Sequence, residues 1–241
     1  ESPGSQTFEI QDIGVISRTA HENDCIVVMD NTWATSLFFK PFEHGVDVVV
    51  QAATKYILGH SDAMLGVITT NAKNFEPIQR AALDFGAPPG PDDVYLAQRG
   101  LRTLGVRLAR HMATGLRIAS WLQAQPQVAK VLHPGLPDDP GHSIWSRDFH
   151  GASGLFGLVL KETTKTMLAK MLDKMQLFKM GYSWGGYESL MIPTDPEKQR
   201  TATCWRPEGP TLRIHAGLED PDDLIQDLEQ GLSRLSPTSS L

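Results

Sequence analysis

The chain has 241 residues, of which 41% are hydrophobic and 21% charged, a composition typical of a soluble globular protein with one large or two modest domains. Its net charge of −6 argues against nucleic acid as the main partner, because phosphate binding needs clustered Lys and Arg. No apolar stretch reaches the ~18 residues of a membrane span, and two cysteines without CxxC spacing argue against a zinc site and favour a reducing, cytoplasmic setting.

The first half of the chain alternates helix-like and strand-like segments. Residues 11–23 are predicted to be helical, and the apolar run from Cys25 to Met29 is predicted to be a buried strand with a buried thiol. Two further β-branched runs, 46–51 and 65–70, predict a second and a third strand. Strands that alternate with helices favour an α/β sheet that is partly parallel.

A long helical pattern follows and predicts a connection between two domains. Pro126 ends the pattern, so the domain boundary is placed near residue 125, with domains at 1–125 and 126–241. The predicted apolar face of this helix repeats at steps of three and four and consists of Leu101, Leu104, Leu108, Met112, Leu116, Ala119 and Leu122.

The second half combines further strands and helices around a predicted surface loop. Residues 134–147 are rich in Pro, Gly and Asp, which favours a loop. Asp220 as N-cap and Pro221 in the first turn predict the start of the last helix. The predicted strands are 128–132, 155–160 and 211–215, and the predicted helices are 163–173 and 221–233.

Three residues near the ends of the first two strands are candidates for binding a ligand. Asp30 ends the first strand, and ligands of open α/β sheets bind at the carboxyl ends of strands; the alternative is a turn or N-cap Asp. Lys55 follows the second strand in an apolar neighbourhood, where desolvation would lower its pKa and free the amine for attack; the alternative is an ordinary solvated lysine. Thr54 offers a hydroxyl and an amide to a phosphate.

Asp30 and Lys55 lie at the ends of successive strands, so one ligand could contact both. Pyridoxal phosphate (PLP) requires this combination of a lysine amine and an acid beside its ring nitrogen. Arg213, in the strand TLRIH, suits a carboxylate, or alternatively a structural ion pair. Ser183 and Trp184 open a Gly-Gly turn that permits close approach to a ligand, or alternatively a plain turn with a packed Trp. No HxH or HExxH pattern occurs, so no catalytic metal is predicted.

Seven stretches, in order along the chain, carry a family resemblance: ESPGS (1–5), VVMDNTW (27–33), QAATKYILGHSDAMLG (51–66), RGLRTLGVRL (99–108), HPGLP (133–137), YSWGGYESL (182–190) and TLRIHAGLEDPDDLIQDLE (211–229). Together they resemble the Cys/Met-metabolism PLP-dependent enzymes, and within them the cystathionine β-lyase branch. The resemblance implies an α/β fold: the C-terminal part of a fold type I, aspartate-aminotransferase-like large domain, followed by a small α/β C-terminal domain.

The resemblance also implies roles for individual residues, of which Lys55 has the central one. Lys55 matches the Schiff-base lysine, which later moves the Cα proton. The other matched residues are Asp30 at the pyridinium nitrogen, Thr54 on the phosphate, Thr32 packed against the cofactor ring, Arg213 on the substrate α-carboxylate, and Ser183 and Trp184 in the substrate pocket.

The activity implied by the resemblance is PLP-dependent α,β-elimination of the thioether L-cystathionine to homocysteine, pyruvate and ammonia, a transsulfuration step of methionine biosynthesis. A homotetramer made of dimers with shared active sites is implied as well. The alternatives are a cystathionine γ-synthase or γ-lyase, a cysteine-conjugate C–S lyase, or a truncated, non-catalytic fragment or subunit.

Two positions depart from the pattern of many relatives. Ala52 stands where many have a phosphate-binding Ser, and Ser5 stands where many have an Asn; both changes are similar to the β-lyase branch. The N-terminal part of the family, which supplies a phosphate loop and a Tyr stacked on the cofactor, has no counterpart in this sequence. It is expected on a separate piece of the protein, or the chain is a fragment.

Overall fold

The computed structural model describes residues 1–235, so the last six residues of the predicted C-terminal domain, 236–241, lie outside the described part. No helix within that part is long and apolar enough to cross a lipid bilayer. The helices are α1 (Ile13–Glu22), α2 (Thr35–Phe38), α3 (Phe75–Asp84), α4 (Pro91–Leu101), α5 (Leu104–Gln123), α6 (His142–Asp148), α7 (Lys165–Leu172) and α8 (Pro221–Ser233). The strands are β1 (Val28–Asp30), β2 (Val48–Ala52), β3 (Gly66–Thr70), β4 (Val128–Leu132), β5 (Leu155–Leu160), β6 (Leu190–Thr194) and β7 (Thr211–His215).

The first three strands form a mixed sheet. β1 pairs in parallel with β2, with Asp30 opposite Val50, and β2 pairs with β3 in the antiparallel direction. The predicted partly parallel sheet is therefore confirmed. Because parallel strands end at the same edge of a sheet, Asp30 and the residues that follow Ala52 are brought to one edge.

The prediction of a buried strand from Cys25 to Met29 is wrong in its first part. The Cys25 thiol is exposed. The backbone N–H of Cys25 donates to the carbonyl of Ala20 at 2.9 Å, in the turn that follows α1. Ile26 and Val28 are exposed as well, whereas Met29 is buried. Among the described residues, β1 has a neighbouring strand on one side alone, β2, so the apolar run has fewer partners there than a central strand has.

The remaining four strands form an antiparallel sheet in the order β4-β5-β7-β6. Every residue of β5 is buried. Strands β4 and β7 flank it, and helix α5, which also contacts α8, packs against β4 and β5. The core includes Ile118, Leu122, Phe156, Leu158, Leu212, Ile214, Leu224 and Leu228. The predicted domain boundary falls between α5 and β4 and stays a prediction.

The long predicted helix is in fact two helices, because α4 ends at Leu101 and α5 begins at Leu104. Leu101, a member of the predicted apolar face, is exposed. The face that α5 buries passes through a histidine and a glycine, which an apolar pattern does not detect. Its members include Leu104, Leu108, His111, Gly115, Ile118 and Leu122, at helical steps of three and four.

The predicted surface loop at 134–147 is more ordered than expected. It contains most of α6, and Leu136 within it is buried. Asp139 Oδ1 accepts a hydrogen bond from the Gly141 N–H at 2.8 Å, and this turn folds the segment back. The Pro, Gly and Asp residues thus form turns that pack against the core.

The start of the last helix is confirmed. The Asp220 carboxylate accepts the Asp222 N–H at 2.8 Å, as an N-cap does, and Pro221 lies in the first turn.

Candidate active site

Lys55 lies in a tight turn directly after β2. Its N–H donates to the Ala52 carbonyl at 3.0 Å, and its carbonyl accepts the Gly59 N–H at 2.8 Å. The side chain reaches a segment far away in sequence, where its Nζ donates to Ser183 Oγ at 2.8 Å. The same Nζ lies 5.6 Å from the centroid of the Trp184 ring. The structure thus brings together three of the residues predicted for the site.

The ammonium form of Lys55 is disfavoured by its surroundings. Partial burial lowers the pKa of Lys55, and the positive charge of Arg213 lowers it further. A larger fraction of the amine is therefore unprotonated at neutral pH than for a solvated lysine. An unprotonated amine that is held by a hydroxyl is a nucleophile.

Arg213 lies in β7, where it is paired with Gly157 of β5 and Ile192 of β6. Its guanidinium donates a hydrogen bond to the Tyr182 carbonyl, one residue before Ser183. Burial lowers the pKa of Arg213, but the guanidinium stays charged because the pKa of arginine lies far above neutral pH. Strand β7 therefore places a permanent cation within electrostatic reach of Lys55, in a position to receive a carboxylate.

Asp30 is the last residue of β1, at the sheet edge that also carries the Lys55 turn. Its Oδ1 accepts the Thr32 N–H at 2.8 Å, so one oxygen caps a turn, as the alternative interpretation of this residue expects. No hydrogen bond among the described residues joins Asp30 to Lys55. A ligand that contacts both would have to lie between them, and this role of Asp30 stays a prediction.

The two threonines are occupied with backbone partners. Thr32 Oγ1 accepts the Ala52 N–H at 2.8 Å and so ties the end of β1 to the end of β2. Thr54 Oγ1 accepts the Leu65 N–H at 3.0 Å and donates to the Leu65 carbonyl at 3.4 Å. The bond that the Thr54 hydroxyl donates to the Leu65 carbonyl is long and weak. The hydroxyl can therefore rotate and donate its proton to a bound anion while it still accepts the Leu65 N–H.

The glycines after Trp184 have a role that differs from the predicted one. Gly185 has a φ of +82°, and a Cβ added there would lie 2.8–2.9 Å from backbone atoms of Lys55. Glycine is thus needed so that this turn can pack against the lysine itself. Trp184 is buried, and its ring centroid is 5.5 Å from that of Tyr56, so it is a packed residue as well as a neighbour of the amine.

Arg107 is a residue of this region that the sequence analysis did not single out. Its guanidinium is buried and donates to the carbonyls of Tyr56 at 2.6 Å, Ile57 at 3.2 Å and Gly100 at 2.8 Å. These bonds hold the turn that carries Lys55 against the end of α4. The sequence feature that could have identified Arg107 is its position three residues after Leu104, on the inward face of α5.

The chain matches a known protein family over most of its length. The sequence profile described as Cys/Met metabolism PLP-dependent enzyme matches residues 1–233. The chain is 47% identical over 244 residues to the cystathionine β-lyase MetC of Escherichia coli, covering 98% of this chain and 61% of that protein. It is 43% identical over 237 residues to an L-alanine/L-glutamate racemase of Wolbachia pipientis, covering 98% of this chain and 59% of that protein.

Among solved structures, a cystathionine γ-synthase of Xanthomonas oryzae pv. oryzae, in complex with aminoacrylate and cysteine, is similar in fold. The TM-score is 0.89 at 31% identity, and the match covers 97% of this chain and 62% of that chain. The chain therefore spans about 60% of the length of the relatives that it matches.

Proposed function

We propose that this chain, which belongs to the Cys/Met metabolism PLP-dependent enzyme family, forms the lysine-bearing part of a carbon–sulfur β-lyase. The observation that carries the proposal is the contact of Lys55 Nζ with Ser183 Oγ beneath the Trp184 ring, near Arg213. This arrangement combines a nucleophilic amine, a cation for a carboxylate and an aromatic wall.

The residues present fit pyridoxal phosphate. Its binding calls for a lysine amine and for an acid beside the pyridine nitrogen. Lys55 has a lowered pKa, and Asp30 lies at the same edge of the sheet with one oxygen fixed by the Thr32 N–H. Lys55 would hold the cofactor covalently, Asp30 would accept the ring N–H, Thr54 would donate to the phosphate, and Thr32 would pack against the ring.

When bound, pyridoxal phosphate stabilises negative charge at the substrate Cα. Arg213 binds the α-carboxylate of the amino acid and so fixes which Cα bond faces Lys55. Lys55 Nζ would take the proton from the substrate Cα, while Ser183 Oγ holds that nitrogen in place. The electron pair of the Cα–H bond would then form the Cα–Cβ double bond, while the C–S bond at Cβ breaks and the sulfur leaves as a thiolate with the electron pair of that bond.

The substrate of the proposal is the thioether L-cystathionine, with homocysteine, pyruvate and ammonia as products. Support comes from the β-lyase relative, which shares nearly half of its residues with this chain over the matched region. The finer parts of the proposal are a role in methionine biosynthesis by transsulfuration, a homotetramer with shared sites and a cytoplasmic location.

Product analysis of the full-length enzyme with L-cystathionine tests this proposal. We expect pyruvate and homocysteine, which a coupled oxoacid assay and thiol detection would identify. Formation of 2-oxobutyrate would instead indicate γ-cleavage. The racemase relative adds a third outcome, in which L-alanine is converted to D-alanine without any oxoacid, and this result would also contradict the proposed lyase function.

A further inference from the structure

His215 is a buried histidine at the end of β7, two residues after Arg213. Side chains two residues apart in a strand point to the same face of the sheet, so His215 follows Arg213 on the side of the proposed site. Its Nε2 lies 3.1 Å from the Gly185 nitrogen and 3.1 Å from the Gly186 carbonyl oxygen. A single ring atom therefore contacts two successive residues of the turn beside Lys55.

That turn, Ser183–Gly186, makes every contact described above between the second half of the chain and Lys55. Ser183 accepts the hydrogen bond from Nζ, and the Trp184 ring lies against the same atom. Gly185 packs on the Lys55 backbone so closely that no Cβ fits. The position of the amine thus depends on the position of this turn.

The His215 ring packs against two other buried rings, those of His111 and Tyr56. Its centroid is 5.2 Å from that of His111 and 5.9 Å from that of Tyr56, and the Tyr56 ring in turn contacts Trp184. Burial, with a further contribution from His111, lowers the pKa of His215 to about 3, so the ring is neutral. A neutral Nε2 either accepts from Gly185 N–H or donates to the Gly186 carbonyl, and both choices bind the turn.

We propose that His215 is a positioning residue of the active site, which fixes the Gly185–Gly186 backbone through Nε2 and thereby holds Ser183 and Trp184 against Lys55. The inference rests on the proposed function, because it concerns the same site. Strand β7 then contributes two residues to the site. Arg213 binds the substrate carboxylate, and His215 positions the Ser183–Gly186 turn, which orients the Lys55 amine.

A purely structural buried histidine is available for comparison in the same chain. His133 is also fully buried, and burial lowers its pKa to about 4. Its Nδ1 accepts the Gly135 N–H at 3.0 Å, in a loop that contributes no contact to Lys55 among those described. His133→Asn therefore removes a similar buried ring away from the site, while the shorter Asn amide can still accept the Gly135 N–H.

The test compares His215→Gln with His215→Asn in the full-length enzyme with its cofactor. The Gln amide reaches the position of Nε2 and can bond the turn, whereas the Asn amide is too short. Hydrogen–deuterium exchange of the peptide 182–189 is the first measurement, since loss of one hydrogen bond should speed exchange there about fivefold. We expect this acceleration in His215→Asn and near wild-type exchange in His215→Gln.

The second measurement separates kcat from KM for L-cystathionine. We expect kcat to fall about tenfold in His215→Asn with a small change in KM, because Arg213 is unchanged, and to recover in His215→Gln. His133→Asn should leave both the exchange of 182–189 and kcat close to wild type. If His215→Asn does not fold, His215→Leu, which keeps the buried volume without a polar atom, takes its place.

Unchanged exchange of 182–189 in the Asn or Leu variant would overturn the inference, as would equal effects of His215→Asn and His133→Asn on that peptide. A wild-type enzyme that forms no pyruvate would contradict the proposed lyase function instead, and the exchange comparison would still decide the role of His215.

Discussion

At the scale of single residues, Arg213 influences the site in two ways. Burial is the larger cause of the lowered pKa of Lys55, and the charge of Arg213 is the second cause. The Arg213 guanidinium also donates a hydrogen bond to the carbonyl of Tyr182, the residue before Ser183. A planar group with five donors can keep that backbone bond and still offer a fork to a carboxylate. In the proposed function, Arg213 would therefore link binding of the substrate carboxylate to the protonation state of Lys55.

Replacement of Arg213 by Leu should mainly weaken substrate binding. Loss of a charged hydrogen-bonded contact is expected to raise KM for L-cystathionine by about 10- to 100-fold, while the cofactor stays bound to Lys55. Steady-state kinetics and the visible spectrum of the enzyme would measure the two effects. Arg213→Lys, which keeps the charge but not the planar fork, should have a KM between those of the wild type and Arg213→Leu. An unchanged KM in Arg213→Leu would contradict the carboxylate-binding role.

Several features of single residues could be predicted, and others could not. Lys55 and Asp30 were placed at the ends of neighbouring strands because a strand end follows from the apolar pattern. The bonds of Thr54 to Leu65 and the exposure of Cys25 depend on how turns close and which strands pair, and residue types do not specify either. His215 gave no signal because one histidine in a strand is compatible with many surroundings.

At the scale of elements, helix α8 holds the segment that leads into the Ser183 turn. Asp227 of α8 is buried, and its carboxylate accepts the backbone N–H groups of Gln176 at 2.9 Å, Leu177 at 2.8 Å and Phe178 at 3.1 Å. Three donors on one carboxylate satisfy groups that the turn leaves without secondary-structure partners. The helix thus fixes the path of the chain toward the site.

Asp227→Asn should destabilise the fold by about 1–3 kcal/mol, because an amide replaces one acceptor oxygen with a donor that faces backbone N–H groups. The free energy of unfolding from urea denaturation would measure the loss. Asp223, exposed in the first turn of the same helix, provides the control, and Asp223→Asn should cost less than about 1 kcal/mol. Equal losses in the two variants would contradict the anchoring role of Asp227.

Elements with a clear period were predicted well, and irregular ones were not. Strands β4, β5 and β7 have the predicted bounds, since short runs rich in apolar and β-branched residues between turn residues favour strands. Strand β6 was missed because Pro193 lies within it. Proline is tolerated there because β6 is the outer strand of its sheet, a fact of tertiary structure that the local pattern does not contain.

At the scale of the whole molecule, the proposed site forms where the turn after β2 contacts the segment before β6. β2 ends in the turn that carries Lys55, while β7 and the segment before β6 supply Arg213 and Ser183. The Lys55 to Ser183 contact joins residues 128 positions apart, and a contact of this range follows from packing rather than from any local pattern. The family resemblance predicted these partners together; their geometry came from the structure.

The central claim is that Lys55 binds the cofactor covalently, and borohydride reduction of the full-length enzyme tests it most directly. Reduction followed by digestion and peptide mass spectrometry is predicted to find the cofactor mass on Lys55, and no such adduct in Lys55→Ala. Lys198→Ala, which removes an exposed lysine paired with Asp195, should label Lys55 as the wild type does. An adduct on a different lysine of the wild-type enzyme would contradict the account.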